Sequence, residues 1–230
     1  MTTVTRESVI KPGMFGSAVA ADSRRYEFDM QNEQLLMEGI IPDAVFIGDS
    51  ITHLWELQAY FPGKIVINRG IGGDISTNVR KRFAADALQL KPGVVVMKIG
   101  TNDLGWGADV PPESIVDTIC ENIAAMAADA REAGVKLAIC SILPIWGPNW
   151  YPLPEFAPRK NAQIAAINMR LRTIAEEHGA IYVNYHSAML DADGMLIHDT
   201  AEDGIHPHSK GYSIMARVLR ETLTAHGIEL

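Results

Sequence analysis

Ser50 ends the run Ala44-Val45-Phe46-Ile47-Gly48-Asp49, and far down the chain Asp203-Gly204-Ile205-His206 sets a carboxylate three residues before an imidazole. A serine hydroxyl is a weak nucleophile. It needs a base to take its proton, a carboxylate to orient that base, and N–H donors for the oxyanion that forms on an attacked carbonyl. One short loop can hold Asp203 against His206 and leave the ring free to face Ser50. The donors on offer are the backbone N–H groups of Ser50 and Gly73 and the side-chain amide of Asn102. Each residue also has a plainer use: Ser50 as a helix N-cap, Asn102 as a loop tie, Asp-x-x-His as a local turn. Their joint placement at one edge of a sheet is what favours acyl transfer at a serine.

That placement follows from the elements around them. Ala44 to Gly48 is short, apolar and rich in β-branched or aromatic residues, as a buried strand is, and Gly48-Asp49 punctuates it before the amphipathic Ile51 to Leu57. Ser50 therefore sits at a strand-to-helix turn, beside the positive end of a helix dipole. The same grammar recurs. Lys64 to Asn68 is a second strand, ending in Gly70-Ile71-Gly72-Gly73-Asp74. A dinucleotide fingerprint fails there because position 75 is Ile75, and Asp74 reads as the N-cap of a helix reaching to about Leu90. Val94 to Ile99 is a third strand, running into Gly100-Thr101-Asn102-Asp103.

A long helix follows Pro111-Pro112 with Ile115, Ile119, Ile123 and Met126 on one stripe. Lys136 to Ile142 is the fourth strand, followed by an aromatic, proline-rich loop from Pro144 to Pro154. A helix carrying Ile164, Ile167, Leu171 and Ile174 leads to a fifth strand, Ala180 to Asn184, and a closing helix from Lys210 to His226 presents Ile214, Val218 and Leu219 to the core. Strands that are continuously apolar and alternate with helices imply a parallel sheet covered on both faces, an α/β fold of three layers with five strands. Residues 1–43 read as a polar lead-in, partly helical from Tyr26 to Met37 and without chemistry of its own, to a single domain spanning 1–230.

A chain of 230 residues buries enough surface, roughly 70%, to fold without staples. Cys120, in a helix, and Cys140, in a strand, read as small buried hydrophobes in a reducing compartment. With no basic-then-apolar leader and no membrane-length apolar run, the expected location is cytoplasmic. A formal net charge of −8 argues against nucleic acid as a partner, and the one basic cluster, Arg80-Lys81-Arg82, is expected on a solvated helix face. A homo-oligomer stays open.

The residues also carry a resemblance. Phe46-Ile47-Gly48-Asp49-Ser50, Gly70-Ile71-Gly72-Gly73-Asp74, Gly100-Thr101-Asn102-Asp103 and Asp203-Gly204-Ile205-His206 resemble, in order, the signature blocks of the SGNH (GDSL-type) hydrolases. Within that family they look most like the catalytic subunits of intracellular platelet-activating-factor acetylhydrolase and their bacterial relatives. The resemblance implies a flavodoxin-like fold and hydrolysis of short acyl esters of a small molecule, carbohydrate or lipid. Ser50 would be the nucleophile, Asp203 and His206 its relay, and Gly73 and Asn102 oxyanion donors with Ser50, with no cofactor or metal. Gly48-Asp49-Ser50-Ile51-Thr52 lacks the final glycine of the α/β-hydrolase elbow. The expected substrate-binding residues are Asp49, beside the nucleophile, and Trp106, Trp146, Trp150 and Tyr151, which could stack on a sugar ring or wall an acyl slot.

Two other classes compete. Asp203, His206 and His208 have a ligand spacing that suits a metal-dependent hydrolase, although a third protein ligand for a catalytic zinc is wanting. A non-catalytic ligand-binding module on the same fold is the other. His53, one helical turn from Ser50, has no carboxylate placed as well as Asp203 and reads as a neighbour or a surface residue.

Overall fold

The computed structural model of the chain describes Thr5, residues 8–105, 113–146 and 160–230, and the backbone of 156–159. Ala44–Gly48 forms β1, buried along its whole length. The reason lies in its alternation: Val45 and Ile47 enter one core, while Ala44 and Phe46 enter another on the opposite face. β2 (Val66–Gly70), β3 (Val94–Lys98), β4 (Leu137–Cys140) and β5 (Ile181–Val183) complete a five-stranded sheet in the order β2-β1-β3-β4-β5. Every pairing is parallel.

The chain leaves β1 in one direction for β2 and returns past it to β3. β1 and β3 are thus neighbours across the point where the winding reverses, the crevice in which open α/β sheets bind ligands. The segments that follow these two strands begin with Asp49-Ser50 and with Ile99 to Asn102.

The helices are α1 (Arg25–Met37), α2 (Ser50–His53), α3 (Leu57–Tyr60), α4 (Ser76–Asp86), α5 (Glu113–Glu132), α6 (Phe156–His178), α7 (Tyr185–Ala188) and α8 (Ser209–Ala225). α4, α5 and α6 close one face through Val79, Phe83, Ile119, Ile123, Ile167 and Leu171. On the other face lie α2, α3, α7 and α8, with Ile51, Leu57, Tyr185, Met215 and Leu219. The inward stripe of α8 runs through Tyr212, Met215, Ala216, Leu219 and Leu223; Ile214 and Val218, expected inside, are only partly buried at its margin.

β2 begins two residues later than expected, at Val66 instead of Lys64. Lys64 N–H closes a turn onto Phe61 O at 3.3 Å and Ile65 N–H donates to the Asp43 carboxylate at 2.7 Å, so the ladder opens at Ala44 opposite Val66. The lead-in also departs from expectation, being bolted to the sheet instead of preceding it. Phe28 of α1 is fully buried, with the guanidinium groups of Arg24 and Arg69 4.6 and 4.7 Å from its ring. Asn32 receives Arg69 at 2.8 Å and donates to Ala85 O at 3.2 Å.

Candidate active site

β1 ends where the Asp49 side chain caps α2, accepting the Ile51 N–H at 3.0 Å. Ser50, the first residue of α2, carries a backbone N–H that has no intrahelical acceptor. Its Oγ lies 2.8 Å from His206 Nε2, and His206 Nδ1 lies 2.6 Å from Asp203 Oδ2. With Asp203 accepting from Nδ1–H, the neutral ring presents Nε2 as an acceptor to the Ser50 hydroxyl. Asp203 Oδ1 takes the backbone N–H groups of Ile205 at 2.9 Å and His206 at 2.7 Å, so a single loop holds carboxylate and ring together. Burial pushes the Asp203 carboxyl up, but the N–H groups and ring of His206 and the Ile205 N–H outweigh it and hold the group below its ordinary pKa.

The glycine block is shaped by close approach. A Cβ on Gly70 would stand 2.1 Å from His53 N, so only glycine lets the end of β2 lie against α2. Gly73, an exposed residue, takes φ +78°, the left-handed region, and its N–H donates to no acceptor among the described residues. Asn102 Nδ2 donates to Asp74 O at 2.9 Å, joining the segments after β3 and β2 and leaving one amide hydrogen for another acceptor. Ser50, Gly73 and Asn102 thus belong to three segments that leave neighbouring strands on the same side of the sheet.

Several expected roles change. Asp74 does not cap α4: its carboxylate binds Arg82 Nε at 2.9 Å, and Asp103 receives the Ser76 N–H at 3.0 Å and the Ser76 hydroxyl at 2.5 Å in its place. Arg82 is not on a solvated face. It is fully buried, pairs with Asp74 and Asp86, and donates to Arg69 O at 2.9 Å and Gly48 O at 3.1 Å, tying both strand ends that precede the site. Asp49 is not a substrate contact either, since its side chain is wholly buried and engaged with Ile51 N–H and with Lys98 Nζ at 3.1 Å.

Trp146 stacks on His198 with ring centroids 4.5 Å apart. Its Nε1–H donates to Ala201 O at 2.9 Å and its backbone N–H to Gly204 O at 3.2 Å. It braces the loop that carries Asp203 and His206 and is tied there by its own ring nitrogen. Trp106, Trp150 and Tyr151 lie outside the described residues. His208 caps α8, its Nδ1 accepting the Lys210 N–H at 3.3 Å. His53, its pKa lowered by burial and then by the Arg24 charge, accepts the Gly72 N–H on Nδ1 at 3.3 Å.

Sequence reasoning missed Arg82 and Lys98. Asp74 and Asp86 flank Arg82 at helix-compatible spacings and were its available signal. For Lys98, the signal was a lysine inside an otherwise apolar strand, which must find a buried partner.

The chain superposes on a GDSL-like lipase from Bacteroides thetaiotaomicron VPI-5482 with a TM-score of 0.73 and 28% identity, over 90% of this chain and all of that one (100%). It also superposes on a protein from Streptococcus pneumonia described as a platelet activating factor, with a TM-score of 0.70 and 25% identity, over 86% and 92% of the two chains. An acetylxylan esterase of Xylanibacter ruminicola is 30% identical over 149 residues, which are 58% of this chain and 29% of that protein, so the match spans under a third of the esterase's length. Fold and relatives together define a carboxylic ester hydrolase domain. The profile of the GDSL-like Lipase/Acylhydrolase family matches residues 46–214, and the chain belongs to that family. No helix of the described residues is long and apolar enough to cross a membrane.

Proposed function

We propose that the protein hydrolyses short-chain acyl esters, acetyl esters first among them, through an acyl-enzyme on Ser50. The observation that carries this reading is the continuous relay from Ser50 Oγ through His206 to Asp203, at 2.8 and 2.6 Å. Ser50 Oγ attacks the ester carbonyl while His206 Nε2 takes its proton, and Asp203 stabilises the imidazolium that results. The carbonyl oxygen gains negative charge beside the Ser50 N–H, the Gly73 N–H and the second Asn102 amide hydrogen. Such donors act most strongly when they are fixed before the charge appears, as the Asn102 tie to Asp74 fixes one of them. The alcohol leaves with the proton from His206, and a water activated by the same ring releases the acid.

An acetylated carbohydrate is the substrate class that the acetylxylan esterase relative favours. Two buried free cysteines among the described residues, Cys120 and Cys140, support a reducing, cytoplasmic setting. The test is a panel of p-nitrophenyl esters of increasing chain length together with acetylated xylo-oligosaccharides, run with and without EDTA. Activity that falls with chain length and is indifferent to chelator is the expected result. Loss in EDTA restored by zinc would turn the assignment towards a metal-dependent hydrolase. A serine-directed organophosphate should modify Ser50, and an adduct mapped to another serine would displace it as nucleophile.

A further inference from the structure

Lys98 ends β3 opposite Gly48 of β1, and its side chain is almost wholly buried. The strands close in there because Gly48 has no side chain: a Cβ on it would stand 2.0 Å from Lys98 O. The Lys98 ammonium donates to Asp49 Oδ2 at 3.1 Å and Thr101 Oγ1 at 2.5 Å. Asp49 immediately precedes Ser50, and Thr101 immediately precedes Asn102. One buried cation therefore touches the residue before the nucleophile and the residue before the side-chain oxyanion donor.

The Asp49 carboxylate is needed where it is, because it accepts the Ile51 N–H and so fixes the first turn of α2. Its charge is a liability there. Fully buried, one residue before Ser50 and bound to the Ile51 N–H one residue after it, an uncompensated carboxylate would oppose negative charge developing on the substrate oxygen, and water cannot screen it. Asp49 also faces the Asp103 carboxylate and the Tyr212 hydroxyl, which bring no positive charge.

Resting on the esterase reading above, we infer that Lys98 is a positioning residue for the reaction: it cancels the Asp49 charge beneath the oxyanion site. It touches no substrate. Its contribution is to kcat, since the opposing field matters only once the oxyanion forms, and not to KM.

The test compares the wild type with Lys98→Met, Asp49→Asn and the double variant. kcat and KM are measured for a p-nitrophenyl acetate substrate, and competent sites are counted by organophosphate titration. Lys98→Met should lose roughly tenfold or more in kcat per competent site, the expected consequence of leaving a buried charge unpaired, with KM within about twofold of wild type. The double variant should recover most of that loss, because no lone charge remains and the amide oxygen that Asp49→Asn introduces can still accept the Ile51 N–H. Wild-type kcat in Lys98→Met, or a double variant no faster than Lys98→Met, overturns the inference.

If Lys98→Met does not fold, the double variant decides alone. Folded with kcat within about tenfold of wild type, it supports charge cancellation; folded but slower than that, or unfolded, it overturns it. A wild type without esterase activity removes the esterase reading and this inference together, whereas an active wild type with unaffected variants removes only the inference.

Discussion

The side-chain amide of Asn102 donates to the carbonyl oxygen of Asp74 at 2.9 Å, so one residue after β3 anchors the glycine segment after β2. The bond uses one amide hydrogen and orients the other. Asn102→Ala should therefore show two losses at once: a lower melting temperature, from the lost tie, and a kcat lower by roughly 10²–10³ with KM little changed, from the lost donor. Asn102→Asp should be slower still, since it sets a like charge beside the oxyanion. Melting and kinetics on one preparation settle the point. A destabilised Asn102→Ala protein with wild-type kcat per folded molecule would leave Asn102 as a tie and nothing more.

The two histidines of the last loop should separate cleanly. His206→Ala is expected to abolish turnover nearly completely, while His208→Ala, which loses only a helix cap, should keep most of its kcat and about 0.5–2 kcal/mol less stability. Asp203→Asn should cost roughly 10⁴-fold in kcat, the size of the same change in a chymotrypsin-like site, because the ring would hold its proton on the wrong nitrogen. Steady-state rates that rank His208→Ala below His206→Ala would reverse the assignment of the base.

Trp146 distinguishes a brace from a substrate wall. Trp146→Phe keeps a ring to stack on His198 but cannot donate to Ala201 O. We expect about 0.5–1.5 kcal/mol less stability and a reduced kcat, with KM for acetylated xylo-oligosaccharides unchanged. A large rise in KM at constant kcat would instead mean that the indole lies against the sugar.

The buried charges behind the site predict the response to acid. Burial pushes the Asp86 carboxyl up, yet Arg25 and Arg82 pull it down further, so its folded pKa lies below the ordinary value. A depressed folded pKa contributes stability above the unfolded carboxylate pKa of about 3.9, and that contribution drains away as pH falls through the folded value. On the Asp86 contribution, melting temperature should hold near neutrality and fall below about pH 4, a fall that the raised Asp74 carboxyl, shifted chiefly by burial, partly offsets. Arg82→Met, which leaves the fully buried Asp74 carboxylate without its cation and Asp86 with Arg25 alone, should lose about 3–5 kcal/mol at pH 7 and show a shallower acid decline. Urea midpoints equal to wild type would show that the network is dispensable.

The order of strands and helices was legible in the sequence because each strand is a short apolar run punctuated by glycine or proline and each long helix carries an apolar stripe. Both patterns are local and repeat at the period of the backbone. That Ser50, Gly73 and Asn102 share one edge was legible for a related reason: in a parallel α/β sheet the turns after successive strands lie together, so placement along the chain already implies placement in space, whereas Asp203 and His206 follow no strand and were legible only as a carboxylate three residues before an imidazole. What the tertiary structure alone decided was the partner of each buried polar group. Asp74 turned from a helix cap into the ligand of Arg82, Asp49 from a substrate contact into a cap paired with Lys98, and the lead-in into a clamp on Arg69, while the Trp146 ring nitrogen found Ala201 O. Hydropathy and spacing cannot specify such pairings. A buried charge must be satisfied by whichever opposite charge or carbonyl the folded chain brings within about 3 Å, and that neighbour is set by strand order and register, which no single segment encodes.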